Sequence, residues 1–203
     1  MSNAGESRVY TRSDCIVFRK TSEPFGGLSN MAPGYPVEVN GIRTSTVEAL
    51  YQACRFPHMA DVQRMIRGQH SPMTAKMKMK RHRDESRSDW DEVRIVVMRW
   101  CLRVKLVQNW EKFSTLLMST SGHPIVESSR RDDFWGTLDD GPDNLVGRNV
   151  LGRLLMELRE TVNGLNGTRW YHVWPPHIPS FLLIGEPIGV IEAPTRGPFS
   201  LRA

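Results

Sequence analysis

From Asp89 to Val107 the 203-residue chain repeats apolar residues at helical spacing, with Val93, Val96, Val97, Trp100, Cys101, Val104 and Val107 on one stripe. A helix of that length, roughly 28 Å at 1.5 Å per residue, must cover its stripe with other elements, and this constrains the chain to a helix-rich core with the long helix as scaffold. The partners are legible. Residues 110–118 read as one helix and 149–162 as another, the latter with Val150, Leu151, Leu154, Leu155 and Leu158 in the same periodicity. A shorter helix spans 46–56, with Val47, Leu50, Tyr51 and Cys54 on one side, Ser45 or Thr46 as cap, and a stop before Pro57. Ser71 and Pro72 have the order that opens a further helix, a capping serine followed by a first-turn proline.

Strand signals gather at the N-terminal side. Residues 15–20 read as a short strand, and residues 36–43 alternate around an Asn40-Gly41 turn in the manner of a hairpin. Between them, residues 24–33 hold two glycines and two prolines, the mark of a structured loop of the kind that lines sites. Residues 125–144 mix acids, arginines and the Phe134-Trp135 pair with turn formers, which no regular amphipathic element would do. Residues 181–192 offer one or two edge strands. One domain is expected, strand-bearing at its N-terminal side and helical from residue 46 onward. Residues 1–13 are expected to be a flexible terminus, in part a cloning scar. After Gly164 the chain turns rich in proline and aromatic residues.

Several function classes are disfavoured. No window approaches the run of about 18 apolar residues of a membrane span, so a cytoplasmic protein without a membrane partner is expected. Cys15, Cys54 and Cys101 lie far apart without a CxxC pair, which argues against a disulfide framework or a zinc site and for buried free thiols. The net charge of +5 favours an anionic partner, either a phosphorylated small molecule or a nucleic acid. Much of the basic excess sits at residues 76–83, which read as a solvated helical face or as a nucleic-acid patch.

The chemistry-bearing residues are few. Glu48 sits in the first turns of the 46–56 helix, where burial would raise its pKa and the helix N-terminus would lower it. Read alone, it complements the helix dipole. Glu127 and Asp132 lie five positions apart on an irregular segment, as loop acids or as residues of one cavity. Trp90 and Trp135 are plates suited to stacking on a base, or core residues. Asn149 and Gly152 stand where a helix start presents N–H groups to a phosphate, or where an asparagine simply caps a helix.

Taken in order, the loop Gly27-Leu28-Ser29-Asn30-Met31, the run TVEALYQACRF at 46–56, Ser71-Pro72-Met73, Trp90, Val126-Glu127, the run DDFWG at 132–136 and the run NVLGRLLMELR at 149–159 resemble the NADAR/YbiA-like family of N-glycosidases across residues 14–163. The resemblance implies a mostly helical α+β single domain over residues 14–163 with a small N-terminal β element, and residues 164–203 as a Pro- and aromatic-rich extension packed on it. It implies hydrolysis of a bond between a ribose anomeric carbon and a base nitrogen. It implies no metal or redox cofactor. Family members act on phosphoribosyl intermediates of riboflavin synthesis or remove ADP-ribose from guanine. The basic segment and the tail lean toward ADP-ribosylated guanine, in a nucleotide or in nucleic acid.

With that resemblance the expected catalytic groups are Glu48, Glu127 and Asp132. Glu48 would assist water or stabilise an oxocarbenium-like sugar, and Glu127 or Asp132 would serve as the second acid-base group. The expected substrate-binding residues are Gly27, Ser29, Asn30, Gln52, Arg55, Trp90, Trp135, Gly136 and Asn149. Arg55 stands where the family motif commonly has lysine, and a guanidinium holds phosphate but forms no Schiff base. A covalent role would fall to a lysine elsewhere, such as Lys76. The alternatives are a glycosidase of phosphoribosylated riboflavin-pathway intermediates, an ADP-ribose-binding module that does not cleave, and a nucleic-acid binder using the basic segment.

Overall fold

The computed structural model describes residues 5–68, 77 and 79–194. Among the described residues are the helices α1 (Val47–Ala53), α2 (Ala60–Arg67), α3 (Trp90–Gln108), α4 (Trp110–Met118) and α5 (Val150–Gly164). α3 runs through the middle and packs against α1, α4, α5, the N-terminal hairpin and the C-terminal strands. The single stripe read for it is corrected by that position. Val96 faces solvent at 40% exposure, whereas Met98, Leu102, Lys105 and Leu106 are buried along with Val97, Trp100, Cys101, Val104 and Val107. Neighbours cover several faces of a central helix, so one amphipathic stripe is too narrow a description.

The strands are short and distributed. β1 (Arg8–Thr11), β7 (Asn144–Gly147) and β6 (Leu138–Asp140) form an antiparallel sheet in the order β1-β7-β6. β2 (Ile16–Phe18) pairs in parallel with β5 (Ile125–Glu127), setting Phe18 opposite Glu127. β3 (Val37–Val39) and β4 (Ile42–Thr44) form the expected hairpin, and Asn40 and Gly41 take φ values of 50° and 72°, as a two-residue turn between strands of right-handed twist requires. In the C-terminal part, β8 (His172–Val173) pairs with β11 (Ile191–Glu192), and β9 (Leu182–Leu183) with β10 (Glu186–Pro187).

Residues 8–11, expected in a flexible terminus, are instead a strand: β1 pairs with β7 in four-residue register, and Arg12 bonds Asp139 at 2.6 Å. The reason is backbone pairing without apolar burial, since Val9 is 65% exposed. The C-terminal part buries Val173, Phe181, Leu183, Ile188 and Ile191, with Phe181 edge-on to Trp100 at 5.0 Å. Gln63 on α2, fully buried, stitches it to the helices by donating to Ala53 O and Leu182 O and accepting from Ile184 N. The helix expected from Ser71 and Pro72, and Lys76, lie outside the described residues. Cys54 and Cys101 are buried free thiols, while Cys15 is half-buried. No helix among the described residues is long and apolar enough to cross a membrane.

α1 begins where the extended backbone of Thr46 lets its hydroxyl accept from Ala49 N at 3.3 Å. Thr46→Ala is expected to lower stability by about 1 kcal/mol, measured as a shift of the urea midpoint. An unchanged midpoint would deny the cap any share in stability.

Candidate functional site

A cavity of about 440 Å³ opens where α1, the start of α3 and the segment after β5 meet. α1 contributes Glu48, Tyr51 and Gln52, with Arg55 one turn on. Spacings of three, four and seven residues put these on one helical face. α3 contributes Trp90, Asp91, Arg94 and Met98 by the same geometry, so α3 is more than a scaffold. Glu127 closes β5, and Asp132, Phe134 and Trp135 come from the loop after it. Asn30, Met31, Met79, Lys80, Arg83 and Leu151 complete the lining.

Glu48 is the central group. The residue is 6% exposed, and its carboxylate accepts hydrogen bonds from Asn30 Nδ2 at 2.5 Å and Gln52 Nε2 at 2.7 Å. Its backbone N–H donates to Asn30 O at 2.9 Å. Asn30 thus holds both the start of α1 and its acid. Burying a carboxylate is costly unless donors meet it, and here two side-chain amides do. Burial and the adjacent Glu48 raise the Tyr51 phenol above its ordinary pKa, so it stays protonated in the cavity.

The aromatic walls share one contact. Trp90 and Trp135 both pack on Tyr51, at 5.0 and 5.6 Å between ring centroids. The cations gather near them. The Arg55 guanidinium lies 5.3 Å from the Trp90 ring centre and donates from Nε to Ser86 Oγ at 2.6 Å. Burial first, then neighbouring Arg83, lowers its pKa, with Arg94 acting in the same direction. Arg94 stacks over Phe134 at 3.9 Å. Like charges this close, in a partly desolvated cavity, make an anion a favourable occupant. Two buried polar atoms of the lining have no hydrogen-bond partner among the described residues, Gln52 Oε1 and Arg94 Nε. An acceptor and a donor left open beside a cavity are groups a ligand can satisfy.

Of the residues expected from sequence, Glu48, Glu127, Asp132, Asn30, Gln52, Arg55, Trp90 and Trp135 come together here. Asp132 also organises its loop, since Oδ1 accepts from Phe134 N at 3.0 Å and Trp135 N at 2.9 Å. Five other positions named from the sequence lie outside the lining. Asn149 is fully buried behind the cavity, donating to Ile125 O at 2.8 Å and accepting from Glu127 N at 3.2 Å. The α5 start is not open to phosphate, because the N–H groups of Asn149, Val150 and Leu151 already donate to the carbonyls of Gly136, Phe134 and Trp135. Gly152 lies against the Ile125 carbonyl with no room for a Cβ. Gly136 is a close-approach position, where a Cβ would stand 2.6 Å from Glu127 O. Gly27 and Ser29 offer their carbonyls to Lys105 at 2.6 and 2.9 Å, away from the lining.

Sequence reading missed Tyr51 as a site residue, along with Arg94, Lys80 and Arg83. Tyr51 and Arg94 share helical faces with Glu48 and Trp90, and that spacing was the available signal. Lys80 and Arg83 belong to the basic segment, where Met79 is buried in one apolar cluster with Phe56, Val62 and Ile66 and so turns part of the segment inward.

Fold and cavity together define a helix-rich α+β domain built around a polar, aromatic-walled pocket. The chain belongs to the NADAR domain family, whose model matches residues 17–163. It is similar to the N-glycosidase YbiA of Shigella boydii serotype 4, 39% identical over 153 residues that cover 74% of this chain and 91% of the relative. The chloroplastic riboflavin biosynthesis protein PYRR of Zea mays is 34% identical over 165 residues, 75% of this chain and 26% of that protein. The NMR structure of the Escherichia coli protein YbiA matches with a TM-score of 0.64 and 34% identity, covering 78% of this chain and 90% of that one.

Proposed function

We propose that this protein is an N-glycosidase that hydrolyses the bond between ribose C1′ and a base nitrogen in an anionic, nucleotide-like substrate. The observation that carries the reading is Glu48, a buried carboxylate held by two amides in a cavity bordered by indoles and cations. Breaking the C1′–N bond develops positive charge on the sugar, and a fixed carboxylate stabilises that charge or takes a proton from attacking water. The leaving nitrogen needs a proton. Glu127 or Asp132, both in the lining, is the donor. Trp90 and Trp135 wall the base, while Gln52 Oε1 and Arg94 Nε meet hydroxyl, base or phosphate groups.

The favoured substrate is ADP-ribosylated guanine, because Arg55, Lys80, Arg83 and Arg94 supply enough positive charge for a pyrophosphate. A phosphoribosylated pyrimidine of the riboflavin pathway is the second reading, favoured by the relative named for riboflavin biosynthesis. Purified protein incubated with guanine-ADP-ribosylated oligonucleotide and, separately, with ribosylaminopyrimidine 5′-phosphate distinguishes them. Mass spectrometry would show free ADP-ribose from the first or free base from the second. Tight binding of both without product would replace the enzyme with a binding module.

Arg55→Met should raise KM for the cleaved compound about tenfold, the effect of losing roughly 1.4 kcal/mol of charge-assisted binding, with a smaller change in kcat. A KM that does not move would take Arg55 out of anion binding.

A further inference from the structure

A second charged group is buried deeper than Glu48 and lies outside the cavity. Lys105 on α3 is fully buried, with its ammonium 2.6 Å from Gly27 O and 2.9 Å from Ser29 O. The same ammonium lies 4.2 Å from the Phe113 ring centre and 4.4 Å from that of Tyr35. Among the described residues no carboxylate is within ion-pair distance of it. Two carbonyls and two π faces replace its water, a costly arrangement for a residue that is almost never fully buried without compensation.

The position of the two carbonyls gives the arrangement a purpose. They belong to the turn Gly26–Leu28 and its C-cap Ser29, where carbonyl oxygens point out of a short helix. The next residue is Asn30, whose side-chain amide donates to Glu48 and whose carbonyl accepts from Glu48 N. Gly27 is packed tightly as well, since a Cβ there would meet Tyr35 Oη at 2.5 Å and Leu116 at 2.6 Å. Lys105 therefore holds the carbonyls of the residues just before Asn30, the residue bonded to the acid of the cavity.

We propose that Lys105 is a positioning residue for N-glycosidic cleavage: its ammonium fixes the Gly27 and Ser29 carbonyls, and so aims the Asn30 amide at Glu48. This rests on the N-glycosidase reading, and the tests separate the two. Lys105→Met removes the charge and keeps the stem. On the guanine-ADP-ribosylated oligonucleotide or the ribosylaminopyrimidine 5′-phosphate, kcat should fall on the order of tenfold or more, with KM within about twofold, because a small misplacement of a catalytic group costs turnover. Lys105 and Asn30 act in one chain, so Lys105→Met added to Asn30→Ala should lower kcat little beyond Asn30→Ala alone. Multiplying losses would overturn the proposal, because a lysine that only stabilises the fold would give independent effects.

A readout without substrate completes the test. In ¹⁵N-asparagine-labelled protein, the Asn30 side-chain amide resonances should shift in Lys105→Met and exchange faster with water, while those of Asn149 stay in place. An unmoved Asn30 amide would sink the positioning role even if neither compound is cleaved. If Lys105→Met is recovered only unfolded, Lys105→Gln, which keeps one donor for a carbonyl, takes its place in the same measurements.

Discussion

Glu48→Gln is expected to fold normally and to lose two to four orders of magnitude in kcat on whichever ribosyl compound the wild type cleaves. The substitution is clean because of Gln52. In the wild type both carboxylate oxygens accept amide N–H groups, and a glutamine at 48 would turn one of those acceptors into a donor. Gln52 can answer by rotating its amide, since Oε1 has no partner now and would then accept from the new N–H. These two hydrogen bonds are kept while the negative charge goes. Thermal unfolding should stay within a few degrees of wild type, so lost turnover reports the charge and not the fold. Retained turnover would remove Glu48 from the chemistry and leave Glu127 and Asp132 as the acids to test.

The largest effect on stability is expected at Phe113→Ala. Phe113 is fully buried, stands edge-on to Tyr35 with 5.6 Å between ring centroids, and carries the Lys105 ammonium over its face. Truncation leaves a cavity and removes one of the π faces that compensate the buried cation, at a combined cost of about 3–5 kcal/mol. In a domain of this size that lowers Tm by roughly 10 °C. Trp174→Ala, at a side chain 74% exposed, provides the contrast and should change stability by less than about 0.5 kcal/mol. Equal effects at the two positions would contradict the core described here.

Elements whose signal is local were legible in the sequence. The hairpin at Asn40 and Gly41, the Thr46 cap, and the helices that became α3, α4 and α5 follow from turn chemistry, capping and 3.6-residue periodicity, each complete within a short window. β1 was not legible, because its pairing uses backbone groups and its exposed Val9 carries no burial signal. The apolar pattern of α3 was read too narrowly, because how many faces of a helix are covered depends on how many neighbours it has.

The candidate site divides in the same way. Glu48, Gln52 and Arg55 could be placed on one face from their spacing, and the family resemblance drew Glu127, Asp132 and both tryptophans toward them. Asn149 could not be assigned from its position at a helix start, because its function depends on a strand some twenty residues earlier in the chain, whose Ile125 carbonyl and Glu127 N–H occupy its side chain. Lys105 is the clearest case. In the sequence it is one lysine among apolar neighbours on a helix, and nothing local says whether it faces solvent or the interior. The sequence by itself determined the helices, the hairpin and the residue types the chemistry needs, since these depend on contacts within a few residues. Only the tertiary structure decided which polar groups meet a ligand and which are consumed in holding loops together, because that depends on partners distant in the chain.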